Sequence, residues 1–227
     1  MGESRSLEVF DCCREFGASS FERRAEVAGN FVRLLVTTVA PPKDLDRFDR
    51  EWTRSIRTRV SEMCPLGCRA WPLQAHSPRG EFLVDFGWEE IEGGKRILLA
   101  GESEWGSVTK WSTHWRPVEH DFEKLLAFKS VFKVIVFSSN DQLADSDSGL
   151  DSDFSIGFAK TRIANSLAGY GHNIAGETYI LLDFPRTGDP NSNGVYRSFF
   201  WTAKADGDAD VRIEALEDGP LPRPNSS

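Results

Sequence analysis

Two apolar runs separated by a pair of glycines limit this fold more than any other feature. They are Glu81-Phe-Leu-Val-Asp-Phe-Gly-Trp88 and Arg96-Ile-Leu-Leu-Ala-Gly-Glu-Ser-Glu-Trp105, joined through Glu92-Gly93-Gly94-Lys95. Each run has strand length, and the glycines supply the backbone freedom of a tight turn, so the segment predicts a β-hairpin. The second run ends in Glu102 and Glu104. Alternate residues of a strand share a face, so these two carboxylates project together, and like charges held so close favour a cation. Pairing within the hairpin brings Asp85 towards them. Three carboxylates at the end of a twisted hairpin form a hard-oxygen site suited to Mg²⁺ or Mn²⁺.

The flanking sequence predicts helices on either side of this hairpin. Ser19-Ser-Phe-Glu22 reads as a capping box, followed by a helix with Phe21, Ala25, Ala28, Phe31, Val32 and Leu35 on its apolar side, stopped by Pro41-Pro42. A second helix over about 44–63 gathers Phe48, Trp52, Ile56, Val60 and Met63 on one face and Arg47, Arg50, Arg54 and Arg57 on the other. Prolines and glycines make 64–80 a turn-rich connection with room for one short strand. Residues 106–117 read as a polar loop bearing Lys110, His114 and Arg116. A helix over about 118–131, burying Phe122, Leu125, Leu126 and Phe128, leads to the strand Lys133–Phe137 as a parallel crossover. Beyond an acidic Ser/Gly-rich loop over 140–156 come a helix near 158–168 and strands over 178–184 and 195–202. The expectation is an α/β protein with a mixed central sheet flanked by helices and an added C-terminal β-hairpin. It forms a single domain over 1–218, with a disordered tail over 219–227.

Asp85, then Glu102-Ser-Glu104 after an apolar strand, then Asp121-Phe-Glu-Lys-Leu-Leu-Ala-Phe-Lys129 and the strand Lys133-Val-Ile-Val-Phe137 together resemble the PD-(D/E)xK nuclease superfamily. The resemblance covers about residues 43–139. It implies a restriction-endonuclease-like core in which Asp85 and Glu102 hold a metal ion while a lysine two positions on helps to place water. Glu104 stands where that lysine is expected, as in some restriction endonucleases of the superfamily, and Val84 stands where the motif has proline. In some relatives the lysine sits on the following helix, which makes Lys124 the implied substitute.

Composition narrows the partners. The chain of 227 residues carries a formal charge of −8, and residues 141–227 hold 7 Lys+Arg against 14 Asp+Glu. Such a balance opposes indiscriminate nucleic-acid binding, which depends on neutralising phosphates. A DNA substrate therefore needs a local basic approach, for which Arg47, Arg50, Arg54, Arg57, Lys110, His114 and Arg116 are the candidates. The alternative is an inactive member of the fold serving as a protein-binding, immunity or regulatory module. The cysteines, in Cys12-Cys13 and Cys64-Pro-Leu-Gly-Cys68, lack a second correctly spaced pair and read as free thiols. Without an apolar leader or membrane span, the expectation is a cytoplasmic protein, with a homodimer allowed.

Overall fold

The computed structural model describes residues 21–37, 48–71, 84–91, 96–104, 115–137, 156–170, 176–184, 195–202 and 214–220. Among them, helices α1 (Phe21–Val36), α2 (Phe48–Glu62), α3 (Trp115–Ala127) and α4 (Ile156–Gly169) enclose one seven-stranded sheet. Its strands are β1 (Cys68–Trp71), β2 (Phe86–Glu90), β3 (Ile97–Glu104), β4 (Phe132–Phe137), β5 (Thr178–Asp183), β6 (Val195–Thr202) and β7 (Glu214–Pro220). Their spatial order is their chain order.

Pairing direction follows connection length. The three strands β1–β3 run antiparallel, as do β5–β7, and β3, β4 and β5 are parallel. Parallel neighbours need a crossover long enough to return the chain to the same end of the sheet, and α3 and α4 supply it. A central parallel strand is covered on both faces, and all six residues of β4 are buried.

Two cores lie on opposite sides of this sheet. On one face, Phe31, Val32 and Leu35 of α1 and Trp52, Ile56 and Val60 of α2 pack on Phe86, Trp88, Leu99, Val134 and Leu182. On the other, Val118, Phe122 and Leu125 of α3 and Ile163 and Leu167 of α4 cover Ala100, Ile135, Tyr179 and Leu181. Burying one such large apolar side chain contributes about 1.5–3 kcal/mol, so each amphipathic helix is held mainly by its apolar stripe. The indole of Trp88 also donates to the Val60 carbonyl at 2.8 Å, tying β2 to α2.

The α/β architecture with a mixed sheet, the antiparallel β2–β3 pairing and strands at 178–183 and 195–202 agree with the sequence expectation. The main differences lie in α3 and β7. Helix α3 begins at Trp115, inside the expected loop, because Pro117 falls in its first turn, where a missing N–H leaves no intrahelical bond unmade. It ends at Ala127, which leaves Lys129 outside. Strand β7 occupies Glu214–Pro220 and takes Gly219 and Pro220 from the expected tail; it pairs with β6 and closes the sheet's far edge, a position that tolerates proline. The 92–95 turn, Cys12-Cys13, most of the acidic loop (140–155) and residues 221–227 lie outside the described residues.

Candidate functional site

The polar groups of interest gather where β2 begins and β3 ends. Phe86 pairs with Gly101, and the residues next to that pair are Asp85 and Glu102. The contact is close: a Cβ on Gly101 would stand 2.0 Å from the Phe86 ring, so only glycine lets β2 lie this near β3 here. The Asp85 N–H donates to the Gly101 carbonyl at 2.9 Å, which holds Asp85 against the end of the ladder.

The two carboxylates then turn to different helices. Asp85 Oδ2 accepts from the Ser103 N–H and the Ser103 hydroxyl, both at 2.9 Å, and the Ser103 hydroxyl lies 3.0 Å from the Thr53 hydroxyl of α2. Asp85 Oδ1 receives the Arg57 guanidinium, also from α2. Glu102 points to the opposite side, where Lys124 Nζ of α3 lies 2.9 Å from its Oε1. The same ammonium is 2.7 Å from Asp121 Oδ1, one helical turn earlier. A carboxylate on each side of β3 is thus capped by a cation from a separate helical layer.

Glu102 is 3% exposed, and burial pushes its carboxyl up to about 8. Lys124 opposes this rise, while the charges of Asp85 and Asp121 add to it. Burial also works against the Lys124 ammonium, but its contacts with Asp121 and Glu102 prevail and raise its pKa above the ordinary lysine value. Lys124 Nζ and Glu102 Oε1 lie 2.9 Å apart without the alignment of a regular hydrogen bond. Arg57 Nε is likewise buried without an acceptor.

Of the sequence-predicted site residues, Asp85 meets Arg57 on one side of β3, and Glu102 meets Lys124 on the other. Glu104 ends β3, paired in register with Phe137 and half-buried. The expected meeting of Asp85, Glu102 and Glu104 at one point does not form. Among the described residues no three Asp, Glu, His or Cys side chains group closely enough to hold a metal ion. The reason is local: Asp85 lies outside the regular β2 ladder, and Ser103 and Arg57 draw its carboxylate towards α2.

The arginine stripe also divides. Arg54 is exposed, whereas Arg57 is engaged with Asp85 and is not a free cation facing solvent. Arg47, Lys110 and His114, and the side chains of Arg50 and Arg116, lie outside what is described. Sequence reasoning missed Asp121, Ser103 and Thr53. Asp121 was legible as an i, i+3 partner of Lys124; the Thr53–Ser103 contact, spanning fifty positions, left no local signal.

No family model matches the chain, and neither the curated proteins nor the solved structures contain a match. No described helix is long and apolar enough to cross a membrane. The functional reading therefore rests on the residues themselves.

Proposed function

We propose that this chain hydrolyses phosphodiester bonds in DNA with a divalent metal ion, Mg²⁺ or Mn²⁺, on a restriction-endonuclease-like core. The observation that carries the reading is the reach of Lys124 from α3 to Glu102. It supplies a lysine to a Glu-x-Glu sequence that lacks one at the expected position. The order of helix α2, antiparallel β1–β3, helix α3 and parallel β4 supports the same reading.

The residues fit a hard cation in one specific respect. Glu102 and Asp85 are near enough for the charge of Asp85 to disfavour ionisation of Glu102, as two ligands of one ion would be, and Glu102 Oε1 is occupied by the Lys124 ammonium at 2.9 Å. Asp85 and Glu102 would hold the ion after turning from Arg57 and Lys124 towards each other, with Glu104 from the same strand as Glu102 completing its shell. Such an ion lowers the pKa of bound water and offsets charge developing on the phosphate. In this scheme Ser103, Thr53 and Arg57 fix the Asp85 carboxylate, Lys124 orients the attacking water, and the exposed Arg54 faces the phosphodiester backbone. Nicking of supercoiled plasmid with Mg²⁺ or Mn²⁺ tests the proposal. Wild type should nick, Glu102→Ala and Lys124→Ala should lose at least about a hundredfold in rate, and an inactive wild type rejects it.

One observation favours a second reading. Both carboxylates are already capped by cations, which suits a module that keeps the fold without the chemistry and binds a protein partner through its acidic surface. Absence of both cleavage and DNA binding at low salt would select it.

A further inference from the structure

We propose that Asp121 of α3 is a positioning residue for this hydrolysis, holding the Lys124 ammonium at the point where it meets Glu102. The inference rests on the hydrolase reading above. An i, i+3 ion pair on a helix is ordinarily a solvated surface feature worth about 0.2–0.5 kcal/mol. This one differs in its surroundings. The side chains of Asp121 and Lys124 are 14% and 33% exposed, and the ammonium they share is in contact with a Glu102 side chain only 4% exposed.

A lysine side chain has four rotatable bonds, and one anchor leaves its ammonium free to swing about that contact. Glu102 supplies one such anchor, an ion pair at 2.9 Å. Asp121 makes the shorter contact, 2.7 Å against 2.9 Å, and approaches from the helix that carries Lys124. Two anchors on different elements fix the ammonium in space, which an orienting role requires. Of the neighbouring charged groups, His120 Nδ1 lies 3.6 Å from Asp121 Oδ1 and is mostly exposed, Glu123 is exposed, Asp85 is turned to Arg57, and Arg162 of α4 meets Glu119.

The test uses the full chain with Mn²⁺ and supercoiled plasmid, together with the metal-free protein observed through its lysine ¹⁵Nζ signals. The Lys124 signal is assigned by its loss in Lys124→Arg. Asp121→Asn keeps the shape and an acceptor oxygen but removes the charge. It should lower kcat by about ten- to a hundredfold with KM little changed, and should broaden the Lys124 ammonium signal through faster solvent exchange. Asp121→Glu should restore much of both, and Glu119→Gln, on the same helix, should alter neither. An unchanged ammonium signal in Asp121→Asn overturns the proposal whatever the activity. So does a lost signal with unchanged kcat. A wild type that cleaves no DNA defeats the hydrolase reading instead, and the ammonium signal then decides by itself whether Asp121 holds Lys124.

Discussion

Replacing Glu102 by glutamine should make the protein more stable at alkaline pH, and the sign follows from proton binding. The Glu102 carboxyl is raised from 4.5 to about 8, chiefly by burial. Between those values the folded state retains a proton that the unfolded chain releases. A raised folded pKa gives stability that is fully present below the unfolded value and is lost as pH rises through the folded one. At about 1.4 kcal/mol per pH unit, the interval from 4.5 to about 8 corresponds to an upper limit of about 5 kcal/mol lost by pH 8.5. Water entry and small movements of Lys124 would reduce this to about 2–5 kcal/mol. Glutamine has the same shape and no proton to lose. Urea unfolding followed by tryptophan fluorescence, with buried Trp52 and Trp88 as reporters, should show wild type losing stability from pH 5 to 8.5 while Glu102→Gln stays flatter. Parallel pH dependences for the two proteins would refute the reasoning.

Other predictions address the site's scaffold and its metal. Gly101→Ala should cost about 1–3 kcal/mol and weaken any cleavage, because a Cβ there meets the Phe86 ring; unaltered thermal unfolding would show that β2 yields without strain. Lys133 is fully buried, 3.0 Å from Glu177 and 3.0 Å from the Tyr179 hydroxyl, and burial lowers its pKa. Lys133→Met alone should cost about 3–5 kcal/mol, and Lys133→Met with Glu177→Gln much less, since the single change strands a buried charge; equal losses in a denaturant cycle would argue against a paired role. Mn²⁺ affinity measured by calorimetry should rise as pH climbs to about 8 and level off above it, because the ion displaces the Glu102 proton; affinity independent of pH would remove Glu102 from the ion's shell.

The elements were legible where periodicity was strong and unbroken. Trp52, Ile56 and Val60 mark α2 at helical spacing, and the run Val134-Ile-Val-Phe137 could only be a covered strand. The start of α3 was hidden because Pro117 is a break in a helix interior but acceptable in a first turn. Strand β7 was obscured by its own Gly219 and Pro220. Alternation puts Glu102 and Glu104 on one face of β3, but it could not place the Asp85 carboxylate. Alternation holds only inside a ladder, and Asp85 stands just outside one, where Arg57 and Ser103 decide its direction. Those partners lie 28 and 18 residues away, beyond any local pattern.

The opposed capping of Asp85 and Glu102 has an electrical consequence. Two carboxylates, Asp85 and Asp121, stand against two cations, Arg57 and Lys124, and Glu102 adds nothing while it keeps its proton. The cluster is then close to neutral, although the chain as a whole carries −8. A neutral assembly of opposed charges has a field that falls off faster with distance than that of a net charge, so at long range it neither draws in nor turns away a polyanion to any great extent. Approach and chemistry are thereby separated: capture must come from cations elsewhere on the surface, and the cluster acquires a net charge only once Glu102 gives up its proton.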